Sequence, residues 1–108
     1  MRFSEIQRQA GDHAKAMGFH DANGADPLRL CMLVVTELAE AVETIRDGWN
    51  PAEVRYVNRK PEGFPVEIAD AIIRLADIGY QFDLDLESVI AEKMAFNRTR
   101  PRMHGKTA

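Results

Sequence analysis

FPVEIADAIIRLADIGYQF, residues Phe64 to Phe82, decides how this chain is read. Wound at about 100° per residue, its polar side chains Glu67, Asp70, Arg74, Asp77 and Gln81 fall on one narrow strip. Val66, Ile68, Ala71, Ile72, Leu75 and Ile78 cover most of the remaining circumference. A helix apolar on nearly every side is expected at the centre of a helical assembly, showing one wet stripe. That stripe holds three carboxylates and a single arginine. Like charges at i, i+3 and i+4 spacings repel by roughly a few tenths of a kcal/mol each. A divalent cation would turn that repulsion into coordination.

Upstream, Asp26-Pro27 marks a helix start, with an N-cap residue followed by proline at the first helical position. This helix continues through Leu30, Val34, Leu38, Ala41 and Ile45, its expected buried face, and stops at Asp47-Gly48. Glu37 falls inside the apolar arc and Glu40 at its edge, whereas Glu43 rotates out to ordinary surface. A glutamate inside an apolar arc is rarely fully buried unless it is paired or bound to a cation. The plain alternative for Glu37 is an ion pair with an arginine from a neighbouring helix.

A first helix is expected from about Phe3 to Met17, opened by a capping box at Ser4-Glu5-Ile6-Gln7. A fourth is expected from about Asp85 to before Pro101, with an apolar face of Leu86, Val89, Ile90, Met94 and Phe96. Lys93 and Asn97 lie within that face, one turn apart. Snorkelling accounts for such a lysine taken alone. Together with a carboxylate cluster, the pair favours a phosphate-facing role. No strand is read. Trp49 to Gly63 is a long connection for a compact bundle, and the tail from Pro101 to Ala108 reads as loose. The expectation is one all-α domain over residues 1–108, a four-helix bundle completed by a second subunit.

With a formal charge of −3, nothing favours direct binding to a nucleic-acid backbone. Cys31 is the single cysteine, so no intrachain disulfide forms. Met1-Arg2-Phe3-Ser4-Glu5 leads into amphipathic helix rather than an apolar leader, and no run reaches membrane-spanning length. The expected location is cytoplasmic, with no membrane partner.

Glu37-Leu38-Ala39-Glu40 and Glu67-Ile68-Ala69-Asp70 are two i, i+3 acidic pairs that packed helices would bring into one cleft. An all-oxygen anionic set suits Mg²⁺, or Mn²⁺, which accept phosphate oxygens as further ligands. No Cys/His cluster has zinc-ligand spacing, and no Glu-x-x-His pair supports a di-iron site. A nucleoside triphosphate would be repelled by the bare carboxylates and bridged to them by the cation. One carboxylate, or a metal, would activate water. Lys93, with Arg98 or Arg100, would neutralise phosphates, and Asn97 would donate a hydrogen bond. No P-loop or kinase-type glycine loop is present.

At these residues the chain resembles the all-α nucleotide pyrophosphohydrolases of the MazG-like superfamily. Their signature is Glu-x-x-Glu on one helix and Glu-x-x-Asp on a later one, often with an extra glutamate ahead of the first. Both motifs match, Thr36 stands at the extra position, and Ala41 to Val66 separates them at a spacing similar to the family's. Lys93-x-x-x-Asn97-Arg98 looks like the family's C-terminal substrate helix. The resemblance runs from about Leu28 to Lys106.

It implies Mg²⁺ held by Glu37, Glu40, Glu67 and Asp70, which also form the catalytic set, with Lys93, Asn97 and Arg98 on the substrate. It implies hydrolysis of a (deoxy)nucleoside triphosphate to monophosphate and pyrophosphate, in a nucleotide-pool housekeeping role. It further implies a homodimer or homotetramer whose site involves more than one chain. A phosphoribosyl-ATP pyrophosphohydrolase or a dUTPase-like enzyme of the same superfamily, and a non-catalytic helical oligomerisation module, remain alternatives. Trp49, Phe64 and Tyr80 are candidate base-stacking residues. Asp77 either extends the metal shell or pairs with Arg74, and His104-Gly105-Lys106 either closes over substrate or stays free.

Overall fold

The computed structural model describes residues 1–107; of the C-terminal tail, Ala108 lies outside the described residues. Four helices dominate: α1 (Phe3–Ala16), α2 (Pro27–Arg46), α3 (Phe64–Gln81) and α4 (Leu86–Arg98). The α2 start forms as expected, with Asp26 Oδ1 accepting the Leu28 amide at 3.0 Å and Pro27 in the first turn. Asp85 caps α4 in the same way, accepting the Ser88 amide at 3.2 Å.

The capping box of α1 does not form. Arg2 is the N-cap, without a side-chain cap bond, and Ser4 already lies inside the helix. Its orphan amide is satisfied from across the fold by Glu87 Oε1 at 3.2 Å, while Gln7 Nε2 donates to the Leu84 carbonyl at 2.7 Å. Long-range partners from the α3–α4 corner thus replace the local ones that the Ser4/Gln7 spacing offered.

Between α2 and α3 the expectation of no strand is also corrected. Arg55–Val57 (β1) and Lys60–Glu62 (β2) pair antiparallel, Arg55 opposite Glu62 and Val57 opposite Lys60. Asn58 and Arg59 both adopt positive φ, 51° and 69°, the two-residue turn whose twist matches a hairpin. Asn-Arg lacks the glycine that normally announces this turn, and three-residue strands are too short to show alternation. The hairpin joins α3 through Gly63, at φ 136°, where a Cβ would come within 2.3 Å of the Glu53 carbonyl oxygen. Arg55 lies 4.0 Å over the Trp49 ring and 2.6 Å from Glu53, tying the hairpin base to the end of α2.

Helix α3 is central, packed between α1 and α2. Its approach to α1 is close because Gly11 faces the Tyr80 ring; a Cβ there would fall 1.9 Å from Tyr80 Cγ. Tyr80 therefore belongs to this contact, with its hydroxyl donating to Asp12 at 3.1 Å, rather than to a base-stacking platform. Gly11→Ala should cost about 1–3 kcal/mol through overpacking at this crossing, read as a lowered denaturant midpoint. An unchanged midpoint would mean that α1 slides freely on α3.

Against α3, helix α2 buries Leu30, Val34, Glu37 and Ala41. Leu38 and Ile45, expected on this face, are exposed. Leu38 sits some 70° around the helix from the centre of the buried strip, and Ile45, about 50° from it, lies in the last turn of α2. On the apolar face of α4, Val89, Ile90, Met94 and Phe96 are likewise exposed, and α4 touches the body mainly through α1. The tail is not wholly irregular, since Arg102–Gly105 forms a 3-10 turn, with Met103 and His104 at positive φ. The architecture is mostly helical, with one short hairpin.

Candidate metal centre

Of the four predicted carboxylates, Glu37, Glu67 and Asp70 converge, each offering an oxygen within 4.8 Å of the others. The cause is local. Glu67 and Asp70 are one turn apart on the polar strip of α3, and the α2–α3 packing carries Glu37 to the same level. Octahedral Mg²⁺ at about 2.0–2.1 Å from its ligands spans about 4.2 Å between opposite oxygens. Neighbouring oxygens on such an ion lie about 2.9 Å apart, so the three carboxylates would draw closer together to share one.

Glu40 stands outside the triad but beside Glu67, lining a cleft of about 440 Å³ with Trp49, Lys60, Glu62 and Glu43. A second cleft of about 340 Å³ opens from Glu37 and Asp70 toward His13, Phe19, Arg74 and Asp77. The triad thus lies between two open spaces.

The electrostatics are those of a site short of positive charge. Glu67 is pushed up to about 7, first by burial and then by Glu40, Glu37 and Asp70. Asp70 is raised as well, by burial and by Glu37 and Glu40, against the opposing pull of Arg74 and Lys60. Glu67 Oε2 is buried with no hydrogen-bond partner among the described residues. A proton on Glu67 shared with a neighbouring carboxylate, or a cation, would meet that need. Arg74 supplies part of the compensation, with its Nε 2.7 Å from Glu37 Oε1. The ion pair weighed for Glu37 from sequence is therefore present alongside the triad. Arg74 and Lys60 against four acidic side chains leave negative charge over, and an all-oxygen donor set of this kind fits a hard divalent ion.

These directions set a pH dependence. Below about pH 4.5 Glu67 is protonated whether folded or unfolded, and contributes no difference. As pH rises from there toward about 7, the unfolded chain releases this proton while the folded chain keeps it, so stability falls. Asp70, also raised, acts in the same sense. In chelator the melting temperature should decline across this window, more than in Glu67→Gln, and Mg²⁺ should restore it increasingly above pH 7. Equal pH profiles for the two proteins would remove Glu67 as the cause.

Asp77 neither joins the triad nor pairs with Arg74. Its Oδ2 lies 2.7 Å from His20 Nε2, and its Oδ1 accepts from Gln81 at 3.0 Å. His20, on the α1–α2 connection, has no spacing that marks it in the sequence. Lys60 was also missed; only the hairpin brings it to the acidic cleft. Lys93, Asn97 and Arg98 lie on α4 and line neither acidic cleft. Lys93 Nζ sits 5.0 Å from the Phe96 ring, and Asn97 Oδ1 is buried without a partner among the described residues. Trp49 lines the larger cleft, while Phe64 is half-buried at the start of α3.

No family model, curated protein or solved structure matches this chain. No helix of the described residues is long and apolar enough to cross a membrane.

Proposed function

We propose that this protein is a Mg²⁺-dependent nucleotide pyrophosphohydrolase, hydrolysing a (deoxy)nucleoside triphosphate to the monophosphate and pyrophosphate, as a cytoplasmic homodimer or homotetramer of MazG-like fold. The observation that carries the reading is the convergence of Glu37, Glu67 and Asp70, one of which, Glu67, has a buried oxygen without a partner among the described residues. These three would hold Mg²⁺, or Mn²⁺, and the ion would neutralise charge on the phosphoryl oxygens. Glu40, exposed beside Glu67, is the carboxylate left to accept a proton from the attacking water. Lys60 reaches the same cleft and would bind the outer phosphates, with Trp49 along its wall. Lys93, Asn97 and Arg98 would join the substrate from a second chain, because α4 stands apart from the clefts of its own chain.

A second reading has one specific observation behind it. The Glu37–Arg74 pair stabilises the buried glutamate without any ion, as a non-catalytic helical module would require. Incubation with a panel of canonical and damaged (d)NTPs, dUTP and phosphoribosyl-ATP in Mg²⁺ separates the readings. Pyrophosphate release that is lost in Asp70→Ala supports the enzyme, and the preferred substrate places it within the superfamily. No turnover of any nucleotide, with melting unchanged by Mg²⁺, would leave the module.

A further inference from the structure

Beside the second cleft, and sharing Arg74 and Asp77 with it, lies a smaller cavity of about 210 Å³ whose charge is opposite to that of the acidic site. Arg29, Arg74, His20 and Asp77 line it, two guanidiniums against one carboxylate, whereas Glu37 and Asp70 do not. Two of its polar atoms are unsatisfied. His20 Nδ1 and Arg29 Nε are both buried without a hydrogen-bond partner among the described residues.

The bonds that do form fix what these two atoms need. A carboxylate only accepts, so the 2.7 Å contact with Asp77 Oδ2 places a proton on His20 Nε2 and leaves Nδ1 to be satisfied from the cavity. Asp77 is committed on its other oxygen as well, accepting from Gln81 at 3.0 Å. Arg29 is anchored by Nη2, which donates to the Gly24 carbonyl at 3.0 Å. No carboxylate among the described residues forms an ion pair with it. Arg74 gives its Nε to Glu37 and keeps its terminal nitrogens. A buried charged donor without an acceptor is costly, and here two unsatisfied nitrogens line one space.

We infer that this cavity binds a phosphate group, as inorganic phosphate or a small phosphate monoester. Guanidinium forks match phosphoryl oxygens, and the cavity offers two of them. A phosphate monoanion also suits both states of His20. Its P–OH donates to Nδ1 of the neutral ring, and a second phosphoryl oxygen accepts from Nδ1 of the protonated ring. A carboxylate meets only the protonated ring. Size sets the rest of the ligand. Pockets for drug-sized molecules run to about 300–1,000 Å³, so this one is too small for a whole nucleotide. It has the room of about seven waters, enough for a phosphoryl group and a few carbons against Phe19, Leu30 and Leu33. The site is assigned from this cavity alone, so it stands whether or not the acidic triad holds a metal or a nucleotide is turned over.

Nitrogen-15 NMR of the full chain, titrated with inorganic phosphate, tests it. Chelator is present to keep metal-bridged phosphate off the triad, and chloride holds the ionic strength constant. His20 Nδ1 and Arg29 Nε should shift together and saturably, while His20 Nε2 keeps its bond to Asp77. Arg29→Gln should weaken binding on the order of tenfold or more, the usual effect of losing a hydrogen bond to a charged group. Glycerol 2-phosphate in a parallel titration separates the two sources: tighter binding than phosphate names a monoester, and weaker binding names the free ion. If Arg29→Gln fails to fold, the two nitrogens of the unmutated protein still decide the matter. A wild type in which neither anion moves them would overturn the inference. So would shifts that persist undiminished in folded Arg29→Gln, or acetate saturating the same nitrogens as tightly as phosphate.

Discussion

Replacing Glu67 by glutamine should make the metal-free protein more stable and abolish the pyrophosphate release proposed for it. The substitution keeps the side chain's shape, removes the charge that Glu40, Glu37 and Asp70 oppose, and ends the titration near 7. It also places an amide donor where Glu67 Oε2 is buried without a partner. In chelator above pH 7 the melting temperature should therefore rise. The same change would replace an anionic ligand of the proposed ion by a neutral amide, a weaker donor to a hard divalent cation. Groups standing merely behind a metal ligand cost about 10–100-fold when lost, so loss of a ligand should lower kcat/KM by more than about 100-fold. The Mg²⁺-dependent rise in melting temperature should vanish with it. Thermal denaturation with and without Mg²⁺, beside a pyrophosphate assay, reads both halves. A variant that is less stable in chelator, or that keeps its response to Mg²⁺, would mean the triad is held together by something other than a cation site.

Arg74→Ala should act in the reverse sense. Arg74 is the ion-pair partner of Glu37, whose side chain is only 11% accessible. Removing one member of a buried pair strands the other charge and typically costs about 3–5 kcal/mol. The guanidinium itself is 42% accessible, so water moderates the loss and a value of about 2–3 kcal/mol is expected here. Mg²⁺ should recover part of it, because the ion neutralises the same carboxylate. Urea denaturation of both proteins, each with and without Mg²⁺, makes the comparison. Destabilisation that Mg²⁺ does nothing to relieve would favour the structural reading of Glu37. If the variant were as stable as the wild type, the pair would contribute nothing. The two substitutions thus address one issue from opposite sides: how the charge at the α2–α3 junction is balanced.

The helices were legible because their signals are local. Asp26-Pro27 and Asp85 act on amides two or three residues away, and the polar strip of α3 follows from helical rotation alone. The pairing of Glu67 with Asp70 was legible for the same reason, since a helix places i and i+3 side by side whatever surrounds it. Glu37 stood out as a carboxylate on an apolar arc, and it is buried.

What the tertiary structure decided concerns residues far apart in the chain. Whether Glu37 or Glu40 enters the triad depends on the rotation of α2 against α3, and periodicity does not set that rotation. The same packing chose Arg74 as the partner of Glu37, and the α1–α2 connection took Asp77 for His20. The hairpin that delivers Lys60 turns on Asn58 and Arg59, whose positive φ no local pattern demanded. Amphipathic spacing says that a face is apolar but not what covers it, so Leu38 and Ile45 read as core while the single chain leaves them in water. Periodicity is written residue by residue; partnership is settled only when separate elements meet.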